Sequence, residues 1–354
     1  MSNISERNIN KRPTDGLRGI FALLIVWHHL APMYGIPYDF SFGNTVVLFF
    51  FVLSGFGITL SWKDRISGSA KRFMAERCVK IFPLQWLTVL LCLVFGISVV
   101  TMWAVPFHLT LTQSFVPKWQ IFFTMNTPSW FLSSLFVCYL CTPLLLGFAR
   151  RHRGLFAVLL ALLMSCFVVF LLILPDTIGR TWLTYINPAA RLLDYSAGMV
   201  LGLYWGEIKT WTQGKKGLSS ALYTAAEIVL LGLMFLFMMW HPLIRLNDYM
   251  MPRYPVILGA VAIFSLAKGH VSQFLTNRWL LMLGKLSMSV YMFHGLILHF
   301  TSKVTVLPTW LNVVLSIVLI IVCAYFVEML MARLSVPLRK AAFRIFRISV
   351  EPVK

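Results

Sequence analysis

The sequence predicts an all-α polytopic membrane protein of about ten spanning helices with both termini in the cytoplasm, and three observations lead there. The first is composition: 59% of the residues are hydrophobic and 12% are charged, with a mean hydropathy of +0.79, far from a chain solvated mainly by water. The second is the length of the apolar runs. Stretches near twenty residues, enough to cross a hydrocarbon layer of roughly 30 Å, recur from Leu17 to the region of Met331. The third is the placement of positive charge.

Basic residues cluster in alternate gaps between the runs. One set holds Arg7, Lys11, Arg12 and Arg18, then Lys63, Arg65, Lys71, Arg72, Arg77 and Lys80, then Arg150, Arg151 and Arg153. It continues with Lys209, Lys215 and Lys216, with Lys268, Arg278 and Lys285, and with Arg333, Arg339, Lys340, Arg344, Arg347 and Lys354. Of the 31 Lys and Arg residues, Lys118, Arg180, Arg191, Arg245, Arg253 and Lys303 are left for the opposite side. That asymmetry orients the chain N-in and C-in. The net charge of +19 is then a topology signal and a set of lipid-headgroup contacts, and nucleic acid is not implied as a partner.

The runs place spans at 17-34, 43-60, 81-101, 127-149, 154-174, 188-206, 219-240, 254-267, 279-300 and 309-331, the eighth being short. The segment 102-126, with Trp103, Pro106 and Trp119, reads as an outer interfacial loop. Residues 1-16 form a polar cytoplasmic lead, with no small-residue cleavage site after the first apolar run, and 335-354 a basic tail. The chain is expected to be one membrane domain over 1-354, leaving no room for a soluble catalytic domain at either end. All six cysteines lie in or beside apolar runs, so no disulfide framework is indicated. Cys138-x-x-Cys141, without a second pair or nearby histidines, reads as packing, and no metal site is expected.

Ionisable groups at membrane depth are costly and therefore mark candidate sites. The first run reads Asp15-Gly16-Leu17-Arg18-Gly19 and ends near His28-His29. Eleven residues bring Arg18 and His29 to within about 20° of one helix face, roughly 16 Å apart along the axis, while His28 points about 100° away. A hydrogen bond from His29 to a neighbouring helix is the plainer alternative. In the ninth run Ser287, Tyr291 and His294 share a stripe about 60° wide, readable as a catalytic edge or as an interhelical seam. The sixth run carries Arg191 and Asp194, spaced to form an ion pair, then Gly198 and Gly202, spaced for close helix approach. Glu227, Asp248 and Glu328 have no obvious partner in the sequence.

These blocks, taken in order, resemble the membrane-bound acyltransferase family 3, whose bacterial members O-acylate cell-envelope carbohydrates. The resemblance covers almost the whole chain. It rests on Arg18 and His29 within the Asp15–Ile20 block, on Phe49–Phe56, on the basic stretch from Arg77 to Pro83, on Pro188 through Arg191 and Asp194 to Gly198, and on Leu283-Gly284-Lys285-Leu286-Ser287 through Tyr291 to His294. It implies an acyl-CoA donor, most often acetyl-CoA, as co-substrate and a saccharide hydroxyl as acceptor, in the bacterial inner membrane. It further implies Arg18, His29, Tyr291 and His294 as catalytic residues and Arg18, Arg72, Arg77 and Lys80 as phosphate partners. Arg191, Asp194, Trp130 and Ser133 follow as acceptor contacts, and a separate periplasmic transfer partner is an option. Three positions depart from the family pattern: Lys80 replaces an Arg, Asp194 replaces a Glu, and Leu135 stands where many members have a Glu. The rival reading, a transporter or flippase of a lipid-linked saccharide, lacks the inverted repeats such proteins often show.

Overall fold

A computed structural model describes residues 12–37, 42–66, 69–97, 102–174, 179–214, 219–239 and 252–348. Arg7, Lys11, Lys215, Lys216, Arg245, Asp248 and Lys354 lie outside the described residues. Among the described residues the regular structure is all helical, with no strand. The long helices are α1 (Arg12–Met33), α2 (Phe42–Trp62) and α3 (Ala70–Phe95). Short α4 (Val105–Thr110) and α5 (Trp119–Phe122) precede α6 (Ser129–Arg151) and α7 (Arg153–Ile173). One turn of π-helix, Trp182–Ile186, leads into α8 (Pro188–Leu203) and α9 (Trp205–Gly214). The remainder is α10 (Ser220–Met239), α11 (Arg253–Leu266), α12 (His270–Leu275), α13 (Arg278–Thr301) and α14 (Thr309–Ile345).

Eight of these helices, α1, α2, α3, α6, α7, α10, α13 and α14, are long and apolar enough to cross a membrane. The protein is an all-α polytopic membrane protein. At the sixth and eighth expected spans the helices run to 16 and 14 residues, short of the roughly twenty that an upright span needs.

Two expectations about element ends are corrected. The third span is expected to start at 81, yet α3 begins at Ala70, takes in the basic stretch from Arg77 and runs through Pro83. Ala, Lys, Arg, Met and Glu are good helix formers, and one missing N–H at Pro83 is tolerated within a membrane helix. The helix stops at Gly96, whose left-handed φ of 59° lets its N–H reach Cys92 O. At the other end, α14 continues well past 331, so most of the expected basic tail is helix.

The described residues form two compact units interleaved in sequence. The first draws on Met1–Leu60, His152–Arg180 and Leu193–Met288, the second on Ser61–Arg151, Thr181–Leu192 and Ser289–Lys354.

In the first unit, glycines set the closest approaches. A Cβ on Gly55 would fall 1.9 Å from Tyr195 O, and one on Gly198 1.9 Å from Val52 O. A Cβ on Gly202 would meet Thr59 at 2.7 Å. The Gly198/Gly202 spacing thus seats α8 directly on α2, the arrangement small residues permit where no hydrophobic driving force separates helix from lipid. Phe56 closes the crossing edge-on against Trp205. Elsewhere in the unit, buried Glu227 of α10 accepts hydrogen bonds from the N–H groups of Val271 (3.0 Å) and Ser272 (3.2 Å) and from the Ser272 hydroxyl. It therefore satisfies the open N-terminus of α12, a partner the sequence did not reveal.

In the second unit α3 packs along α6 and α14, with Phe73 edge-on to both Trp62 and Tyr139. Ser289 donates to Glu328 at 3.1 Å, again supplying a partner not evident from sequence.

Gly198→Ala drives a methyl into the α2 backbone and is expected to lower stability by roughly 1–3 kcal/mol. Gly232→Ala, where a Cβ meets nothing within 4 Å, is expected to stabilise by up to about 1 kcal/mol. Thermal unfolding of the two variants in detergent checks the contrast.

Candidate functional site

In the first unit the start of α1 interlocks with the end of α12 and the start of α13. A Cβ on Gly16 would fall 2.2 Å from Leu275 O, one on Gly19 2.7 Å from Gly284 N, and one on Gly284 2.0 Å from Asp15 O. Only glycine fits any of the three positions. This contact carries Arg18 to Ser287: Nη2 donates to Ser287 Oγ at 2.9 Å, and Nη1 reaches Asp15 Oδ1 at 3.3 Å. Ser287 is buried, whereas the Arg18 side chain keeps 31% of its exposure. Arg18 is thus a cation oriented by protein on one side and open on the other. His29 follows on the same unbroken helix, so the face shared with Arg18 and the axial separation of roughly 16 Å both hold. Its ring lies edge-on to His28 with centroids 5.0 Å apart, and both rings are half-buried. Asp194, fully buried, receives the Tyr254 hydroxyl.

In the second unit, His294 is fully buried and its Nδ1 faces Tyr291 O at 2.7 Å and Val290 O at 3.3 Å. Carbonyl oxygens only accept, so Nδ1 carries the proton, and in the neutral ring the basic lone pair belongs to Nε2. Tyr291 packs against His294 (centroids 6.0 Å) and Phe131 (5.1 Å). Trp130, on the same helix as Phe131, lies against Tyr185 with centroids 4.6 Å apart and the rings tilted by 53°. Arg191 is buried and donates to Thr184 O at 2.6 Å, bracing the π-helical turn that presents Tyr185. Asn126 donates to Met292 O at 2.9 Å, bringing a side-chain amide to the turn of α13 that bears His294.

Ser133, a candidate acceptor contact, has partners within the protein. It is fully buried, donates to Leu111 O at 2.7 Å and lies 2.6 Å from Ser114 Oγ, so its hydroxyl pins the 111–114 segment to α6. Leu135 is also buried, and packing, without a carboxylate, fills that position.

The candidate phosphate partners lie along the first turns of α3. Arg72 pairs with Glu76 at 3.3 Å and rests 5.9 Å over Phe343. Arg77 lies over the rings of Phe73 (5.6 Å) and Tyr139 (5.7 Å), with Nε buried and making no hydrogen bond. Lys80 is exposed.

Sequence reasoning missed Asn126, Tyr185 and Tyr254. Asn126 sits in a segment without periodicity, and Tyr185 precedes Asn187-Pro188 in what looked like a helix lead-in. Tyr254 at the head of a short apolar run carried no polar neighbour pattern to mark it.

The segment 104–128, outside the eight apolar helices, is tied to Ser129 at the start of α6, next to Trp130. His108 Nε2 donates to Ile121 O at 2.8 Å, Ser129 Oγ lies 3.4 Å from Nδ1, and Gln85 donates to His108 O at 3.0 Å. Burial outweighs the Ile121 carbonyl and lowers the His108 pKa to about 4. An unfolded His titrates near 6.5, so between those values the unfolded state binds more protons. The stability supplied by neutral His108 is complete above about pH 6.5 and is lost as pH falls toward 4. Thermal unfolding should fall across that window, and His108→Gln should flatten the fall from a lower starting value.

A family model described as an acyltransferase domain matches residues 14–329. Acyltransferase MdmB of Streptomyces mycarofaciens is 31% identical over 207 residues, 52% of this chain and 52% of that protein. The chain therefore spans about half the length of this curated relative in the match. No solved structure matches. The family match takes in the α1–α13 interlock, both histidine-bearing helices and the Trp130 segment, and the chain belongs to the acyltransferase-3 family.

Proposed function

We propose that this protein is a membrane O-acyltransferase that moves an acyl group, in the first instance acetyl, from acyl-CoA to a hydroxyl of a cell-envelope saccharide in the bacterial inner membrane. One observation carries the reading: Arg18 is oriented by Ser287 at one end of α1, with His29 on the same face about three turns along. An anionic donor bound at Arg18 by charge-assisted hydrogen bonds can extend its pantetheine arm along that face, because the arm is about as long as the separation. Arg72, Arg77 and Lys80 are further candidates for the donor's phosphates by charge. Cytoplasmic entry of the donor follows the N-in, C-in orientation that the basic clusters favour.

Chemically, neutral His29 takes the proton of the acceptor hydroxyl as its oxygen attacks the thioester carbonyl. The carbon–sulfur bond breaks, and the proton passes from the imidazolium to the departing CoA thiolate. A second course, in which the acyl group rests on His29 before transfer, uses the same side chain as nucleophile. Tyr291 and the Nε2 of His294 serve as positioning or proton-handling groups. Trp130, Ser133, Arg191 and Asp194 are proposed acceptor contacts, with Tyr185 beside Trp130 as a further aromatic group. Acylation acts on the acceptor directly or through a separate periplasmic partner.

Two variants separate the roles. His29→Ala, at matched expression, should reduce base-labile ester on envelope glycans by at least about 100-fold as read by mass spectrometry. Wild-type ester content in that variant would remove His29 from the mechanism. Arg18→Gln should lower kcat/KM for acetyl-CoA roughly tenfold to a hundredfold, chiefly through KM.

A further inference from the structure

Helix α14 outruns the membrane. At about 1.5 Å per residue its 37 residues reach roughly 55 Å, against a hydrocarbon layer of roughly 30 Å. The family match ends at residue 329, so the extension beyond it is a feature of this chain outside that match.

One face of the extension is docked. Arg339 donates to Glu76 Oε1 at 2.8 Å and covers Phe343 at 5.1 Å, and Arg72 covers the same ring from the other helix. Phe343 is buried.

A second face behaves differently. In the spanning part Phe326 (62% exposed), Met329 and Leu330 point outward, as residues against lipid do. Seven residues from Phe326 the same face reaches Arg333, seven further Lys340, and four beyond that Arg344. All lie within about 60° of Arg333, and all three cations are exposed. The face that meets hydrocarbon therefore turns basic where the apolar run ends. Along the axis Arg333 lies about 4.5 Å past Leu330, Lys340 about 15 Å and Arg344 about 21 Å. The headgroup layer is roughly 6 Å deep, and the field of an anionic surface decays over about 8 Å at physiological salt.

We propose that Arg333, Lys340 and Arg344 form a docking stripe for anionic phospholipid headgroups, with Arg333 in direct contact with lipid phosphate, Lys340 about one decay length of the field beyond the headgroup layer and Arg344 about two. The partner follows from continuity: a stripe in register with the lipid-facing side chains of the same helix meets headgroups before it meets anything else. Leu334 and Ile345, exposed on the neighbouring face, suit the same boundary. The stripe also keeps the extension in place, so that Arg339 stays on Glu76.

The test uses the full chain in detergent, equilibrated with equal amounts of phosphatidylglycerol and phosphatidylcholine, with retained lipid counted by native mass spectrometry. Wild type should retain phosphatidylglycerol preferentially and lose the preference at high salt. Each charge removed should cost up to roughly fivefold in that preference, in the order Arg333→Gln, then Lys340→Gln, then Arg344→Gln. Arg333→Lys, which keeps the charge, should retain it. An unchanged preference in the triple glutamine variant, or a preference lost equally in Arg333→Lys, would overturn the proposal. So would displacement of the retained lipid by acetyl-CoA, which would assign the stripe to the donor.

Discussion

The close crossing of α1 and α13 is the constraint on which the site in the first unit depends. Gly16, Gly19 and Gly284 leave no room for a Cβ between the Asp15 carbonyl, the Gly284 amide and the Leu275 carbonyl. Dispersion and backbone proximity hold such a crossing together in lipid, where the hydrophobic effect separates nothing. Its consequence is chemical: Arg18 arrives at Ser287 already oriented, so the entropy of ordering a long cation is spent during folding and not on binding a donor.

The second unit solves a different problem, that of keeping polar groups satisfied at depth. His294 gives its Nδ1 proton to backbone carbonyls one turn away, Ser289 gives its hydroxyl to Glu328, and Arg191 braces a π-helical turn through Thr184 O. The same hydrogen bonds that lower the cost of burial also set tautomer and ring direction. A segment outside the eight apolar helices, tied down by His108, Gln113, Ser114 and Ser133, fixes the start of α6 and with it Trp130.

Much of this was legible in the sequence, for identifiable reasons. The hydropathy runs gave the long helices because lipid demands about twenty apolar residues in each. The eleven-residue Arg18–His29 spacing survived because α1 is unbroken, and the Gly198/Gly202 pair pointed to a close helix contact, whose partner, α2, only the structure names. What the sequence hid was the non-local pairing. Glu227 with the α12 amides and Tyr254 with Asp194 join residues tens of positions apart, and no periodicity records such a partner. Helix ends were misread for the opposite reason: α3 and α14 continue into charged sequence, where hydropathy falls while helix propensity does not. Ser133 shows what a motif read by type leaves out, since its bonds to Leu111 and Ser114 are not visible in the sequence.

In the proposed reaction Arg18 and His29, held on one face of α1, define the path of the acyl donor. The first test is a structure with a non-hydrolysable acetyl-CoA analogue. The donor's phosphates are expected at Arg18 and the acyl carbonyl beside His29, with the pantetheine arm lying along α1 between them. An analogue bound away from α1, with Arg18 still on Ser287 and His29 far from the carbonyl, would contradict it.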